Sequence, residues 1–104
     1  MLKSSRYDVE MTELSNAEIR KFKAAAQHMK PMLKIGHAGL SPEFLRTVDE
    51  TLKRHELIKI KFDDFKEKRK LLAPQLAEKT SSHLVTLLGN VVVLYRKKAE
   101  IDPK

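Results

Sequence analysis

Apolar side chains in this chain recur at the helical spacing, then at the extended spacing, and the two periods keep alternating along it. That alternation constrains the fold more than any other feature, because it demands a sheet with helices packed against it. In Leu57 to Phe62, the residues Ile58, Ile60 and Phe62 alternate with Lys59 and Lys61, which predicts a strand with one buried and one wetter face. Just before it, Leu45, Val48 and Leu52, with Phe44 at the edge, form the stripe of a helix reaching about Arg54. Its start is marked by Ser41-Pro42-Glu43: a serine at the N-cap, a proline at the first helical position and an acid in the first turn.

The remaining elements follow from similar signals. Leu14-Ser15-Asn16-Ala17-Glu18-Ile19 contains a capping box between Ser15 and Glu18, with Leu14 and Ile19 placed as a hydrophobic staple. Ile19, Phe22, Ala26 and Met29 continue one face, so a first helix is predicted over about 16–29, stopped by Pro31. Met32 to Ile35 is a short strand closed by Gly36. Asp64-Phe65-Lys66-Glu67 can begin a third helix with Phe65, Leu72 and Leu76 on one face. Pro74 interrupts it, so a kink near Lys70 or a helix in two segments is expected. Leu84 to Leu88, Gly89-Asn90 and Val91 to Arg96 read as a hairpin with a two-residue turn.

The order αβαβαββ predicts an α+β domain of two layers, a small mixed four-stranded sheet with helices against it. Each strand–helix–strand passage, first to second and second to third, is expected to give parallel neighbours through a right-handed crossover, and the terminal pair is antiparallel, while the strand order stays open. At 104 residues the chain is one domain, over 13–98, with a lead-in at 1–12 and a tail at 99–104.

Composition narrows the function. With no cysteine, disulfide frameworks and thiolate chemistry are excluded. No apolar run approaches the roughly 20 residues that span a bilayer, and residues 1–6 have no apolar signal core. A cytoplasmic protein without a membrane partner is therefore expected. Lys and Arg number 21 against 14 Asp and Glu, a net charge of +7 that attracts polyanions, chiefly nucleic acid or an anionic membrane surface; the second is disfavoured because no helix combines a broad apolar face with a dense basic one.

The tetrapeptide Gly36-His37-Ala38-Gly39 lies between a strand and a helix start. Two glycines let the backbone turn sharply and approach a ligand, and the helix beyond presents unpaired amides to a phosphate oxygen. Lys34 adds charge, whereas Pro42 removes one amide and Glu43 brings a competing negative charge. The other reading of the tetrapeptide is a glycine-assisted turn. Further basic groups are Arg20, Lys21 and Lys23; Lys30; Lys59 and Lys61; Lys66, Lys68, Arg69 and Lys70; and Arg96, Lys97 and Lys98. Each could be a solvated face, and only convergence on one surface would make a binding site. Tyr95 could stack on a base beside Arg96 or pack half-buried in its strand.

Catalysis finds no convergent groups. His28, His37, His55 and His83 are scattered, and His55-Glu56-Leu57-Ile58-Lys59 has a lysine where a zinc helix needs its second histidine. Asp63-Asp64 is better read as helix capping. The glycine loop lacks the Gly-Lys-Ser/Thr ending of a nucleotide P-loop. No enzyme activity, metal, cofactor or small-molecule substrate is expected.

Four stretches, in order and at matching separations, carry a family resemblance: Leu14-Ser15, Leu33 to Ser41, His55 to Lys61, and Leu88 to Arg96. The region Leu14 to Lys98 resembles the CRM domain (chloroplast RNA splicing and ribosome maturation), especially its single-domain bacterial YhbY-like members. The resemblance implies a core similar to the C-terminal domain of bacterial translation initiation factor three, a G-x-x-G loop on RNA, and association with precursors of the large ribosomal subunit. RNA-binding G-x-x-G loops commonly carry a basic residue between the glycines; here His37 and Ala38 stand there. The expectation is thus a monomeric, non-catalytic protein that binds ribosomal RNA. Its grip is expected from Gly36, His37, Ala38 and Gly39, widened by Lys34, Lys30, Lys21, Lys23, Arg96, Lys97 and Lys98. The alternative is an adaptor that docks on a ribosomal protein or assembly factor through the first helix.

Overall fold

The computed structural model describes residues 14–97. The expected lead-in at 1–12, the tail at 99–104 and Lys98 lie outside the described residues.

The first helix, α1 (Asn16–Gln27), opens on the capping box. Ser15 Oγ accepts from the Glu18 amide at 3.1 Å, and Glu18 Oε1 accepts from the Ser15 amide at 2.9 Å. After β1 (Leu33–Ile35), α2 (Pro42–His55) begins at Ser41, whose Oγ accepts from the Phe44 amide at 3.1 Å. Strand β2 (Leu57–Phe62) follows directly. The third helix is in two segments, a 3-10 turn at Lys66–Lys68 and then α3 (Arg69–Lys79). Pro74 sits about one turn into α3, where its missing amide would otherwise donate to the carbonyl of Lys70, the helix's second residue. Strands β3 (His83–Leu88) and β4 (Val91–Tyr95) enclose the Gly89-Asn90 turn, with Gly89 at a φ of +61°.

The sheet order is β1-β2-β4-β3, with β1 parallel to β2 and the other neighbours antiparallel. The expected parallel neighbours β2 and β3 are thus corrected: they run the same way, but the hairpin's second strand, β4, lies between them and pairs with both. Ile58, Ile60 and Phe62 of β2 join Ile35, Val92 and Leu94 beneath α2 (Val48, Leu52) and α3 (Ala73, Leu76, Ala77), forming the main core. The opposite face carries Val85 and Val93 under α1, which contributes Ala26, Ile19 and Phe22. The two expected layers are present, and α1 adds a thinner third layer on the far side. The sequence pattern hides this, because the α1 side of β2 is Leu57, Lys59 and Lys61, which reads as a wet face.

Lys59 is what lets that face accept a helix. Its Nζ donates to the carbonyls of Ala26 at 3.0 Å and Met29 at 2.9 Å, at the carboxyl end of α1. A cation there satisfies orphan carbonyls and opposes the negative end of the helix dipole. Lys59→Met keeps the stem and removes the charge. It should destabilise the protein by about 1–2 kcal/mol in urea denaturation, with amide exchange rising first in α1.

Candidate nucleic-acid interface

Strands β1 and β2 are parallel, so their carboxyl ends lie together, and the segments leading into α2 and α3 both leave from that end of the sheet. The hairpin turn joins them, since the Phe62 amide donates to the Asn90 carbonyl at 2.7 Å. Helix amino termini carry partial positive charge, so this end suits an anion.

The glycine loop sits in this corner. Its turn is closed by the Gly39 amide, which donates to the Gly36 carbonyl at 2.9 Å. Gly39 is buried at a φ of +68°, and a Cβ there would stand 3.4 Å from the Phe65 ring. Phe65 itself adopts a left-handed conformation at a φ of +60°, which brings the β2–α3 connection against the loop. Gly36 differs: it is exposed, its φ lies outside the left-handed region, and a Cβ would meet nothing within 4 Å. The amides of His37 and Ala38 donate to no other described residue. The amides of Gly36, Leu40, Ser41 and Glu43 likewise donate to no other described residue. Gly39 uses its own to close the turn, Phe44 is capped and Pro42 has none.

Lys34 and Lys61 are register partners across β1 and β2 on the α1 face. Neither forms an ion pair among the described residues. The corner also holds acids: Glu43 in the first turn of α2, and Asp63 and Asp64 beyond β2, all exposed. Asp64 Oδ1 is occupied by the Phe65 amide at 2.7 Å. Lys30, Lys21 and Lys23 are exposed, the last two on α1 over the same sheet face as Lys34 and Lys61.

The carboxyl-terminal basic group is elsewhere. The Arg96 amide donates to the carbonyl of Glu56, before β2 begins, whereas the glycine loop lies past the other end, about 17–20 Å along the strand. The expected grouping of Arg96 and Lys97 with the loop is thus corrected by the antiparallel pairing of β4 with β2. Moreover, Arg96 is an internal tie. Nη1 donates to Asp49 Oδ1 and to the Thr80 carbonyl, both at 2.8 Å, and Nη2 to the Asp49 carbonyl at 2.9 Å. The hydrogen bond from Arg96, with its charge, holds the Asp49 carboxyl below the usual carboxylate range despite partial burial. Lys53, Arg54 and His55 share that end, in the last turn of α2, where cations offset the negative helix terminus. Tyr95 is not a free stacking platform. Its ring stacks on Phe22 with centroids 4.2 Å apart, and burial pushes its phenol above the ordinary value.

Sequence reasoning left Lys61 out of the binding set. The alternation places it on the wetter face of β2, but only the β1–β2 register sets it beside Lys34. Among the described residues no cluster of three His, Asp or Glu is arranged to hold a metal ion, and no helix is long and apolar enough to cross a membrane.

A family model described as the CRS1 / YhbY (CRM) domain matches residues 14–96. A Haemophilus influenzae protein named "RNA-binding protein" is 32% identical over 91 residues, covering 86% of this chain and 92% of the relative. The Bacillus subtilis "Probable RNA-binding protein YqeI" is 28% identical over 88 residues, covering 84% and 92%. The solution structure of the hypothetical protein SAV1595 from Staphylococcus aureus superposes with a TM-score of 0.72 at 32% identity, covering 86% of this chain and 94% of that one. The family model spans nearly all of the described residues and the solved structure shares the fold, so the chain belongs to the CRS1 / YhbY (CRM) domain family.

Proposed function

We propose that this protein is a non-catalytic RNA-binding protein that acts as a cytoplasmic monomer on ribosomal RNA in precursors of the large subunit. Its family and the names of its relatives support RNA as the ligand class. The observation that carries the reading is the convergence of Lys34 and Lys61, the unpartnered amides of His37 and Ala38, and the start of α2 at one end of the sheet. Contacts of this kind hold the phosphate backbone and set its register, leaving base identity to other groups.

Gly36 gives the sharpest test, since neither its conformation nor its surroundings within the protein need a glycine. Gly36→Val should leave stability within about 0.5 kcal/mol and weaken RNA binding roughly tenfold by holding the phosphate off the loop amides. In contrast, Gly39→Ala should cost about 1–2 kcal/mol of stability, because alanine pays for the left-handed φ. Titrating RNA at several salt concentrations checks the mechanism. If three or four phosphates are neutralised, log K falls against log salt with a slope of about −2 to −3. A slope near zero, or unchanged affinity in folded Gly36→Val, overturns it.

A further inference from the structure

Register places four side chains in one transverse row on the α1 face: Lys34 of β1, Lys61 of β2, Val91 of β4 and Leu88 of β3. At about 4.8 Å per strand the row is roughly 14 Å long. It runs across the sheet end that holds the glycine loop and the hairpin turn. The next row contains Lys59 and Val93, which α1 covers. Lys34 stays exposed, Lys61 and Val91 are half-buried, and Leu88 is 76% exposed, the highest value among the large apolar side chains described.

Both halves of this row are unfavourable for the isolated protein. Like charges directly opposite each other across two strands destabilise a sheet, and no ion pair relieves these two among the described residues. An apolar leucine beside a half-buried valine faces water at the other end. A ligand that removes both costs carries regularly spaced negative charge and, a few ångströms to one side, flat apolar surface. A nucleic-acid strand has that composition, but it offers base faces only where the bases are unstacked. In a duplex the base faces are buried in the stack and the outer surface is sugar and phosphate.

Resting on the RNA-binding reading above, we infer that this row is a track for unpaired RNA, with phosphates over Lys34 and Lys61 and a base or ribose against Leu88 and Val91. The ligand class is thereby narrowed to single-stranded loops, bulges or ends. The glycine loop then holds the phosphate that leaves the track past β1.

The test measures fluorescence anisotropy of a labelled oligouridylate of about ten nucleotides and of an RNA duplex of similar length. The full chain is compared with Leu88→Ser and Lys61→Gln, both checked for folding by thermal melts. Tighter binding of the single strand at equal salt is expected. Leu88→Ser should weaken single-strand binding roughly five- to tenfold with the salt slope unchanged, because it removes apolar contact and no charge. Lys61→Gln should reduce the slope by about 0.7. Equal or tighter binding of the duplex, or a silent Leu88→Ser in a protein that binds RNA, overturns the track and leaves the RNA-binding reading standing. Failure of the wild-type chain to bind either RNA overturns both.

Discussion

Arg96→Ala should unfold this domain more readily than any other exposed or half-exposed substitution, with a loss of about 2–4 kcal/mol. One guanidinium joins three acceptors: the carboxylate and carbonyl of Asp49 in α2, and the carbonyl of Thr80, which ends α3. Removing it leaves those acceptors without their donor and cuts the polar tie from the end of β4 to both helices of the main core at once. For a domain of this size the melting temperature should fall by roughly 10–25 °C. Arg96→Lys should recover less than half, since a single ammonium cannot span the three acceptors in the planar geometry of the fork.

The pH dependence has a defined sign. The Asp49 carboxyl is held below its ordinary value of 3.8 by Arg96, so its contribution is present above that pH and is lost as pH falls through the lower folded value. Wild type should lose that increment on acidification, whereas Arg96→Ala should not, so the gap between them narrows toward pH 3. The two carbonyl hydrogen bonds do not titrate, and most of the gap persists. Chemical denaturation between pH 3 and 7 measures both parts. RNA affinity of the folded variant should stay within about twofold of wild type, because Arg96 lies at the opposite end of β2 from the glycine loop.

The second large effect is expected to have opposite signs in stability and binding. Lys34→Glu turns a like-charge cross-strand pair with Lys61 into an attractive one. Folding stability should rise by about 0.2–1 kcal/mol. RNA affinity should nevertheless fall by one to two orders of magnitude at low salt, since one cation is lost and the new carboxylate neutralises the other. The salt slope should shrink by about 1.4, the amount for two phosphates on a single strand. A variant that is more stable yet binds worse is hard to explain by misfolding. Unchanged affinity and slope in Lys34→Glu would show that the lysine pair does not meet RNA.

How much of the site was legible can be judged residue by residue. The glycine loop and Lys34 are contiguous in sequence, so their proximity needs no tertiary information. Lys59 and Lys61 look equivalent in the run Ile58-Lys59-Ile60-Lys61, yet one is bonded to the end of α1 and the other is free. Nothing in the local sequence distinguishes them, because the difference lies in where a helix more than thirty residues earlier stops. Arg96 misled for a similar reason. In Tyr95-Arg96-Lys97 it resembles a basic strand end, but its acceptors lie 47 and 16 residues away.

The sequence by itself determined the elements and their order: Ser15 and Glu18 close the first helix's amino end, Ser41 and Pro42 open the second, and Gly89-Asn90 turns the hairpin. These are local effects, in which a side chain satisfies a backbone group within four residues or sets a φ angle. Only the tertiary structure decided which basic residues tie the fold together and which remain without a partner in it. That division depends on strand order, register and the path of α1, all of which join residues distant in sequence. A charge has no fixed role until its neighbours across the sheet are known, because burial and the nearest acceptor decide whether it is satisfied within the protein or left for a ligand.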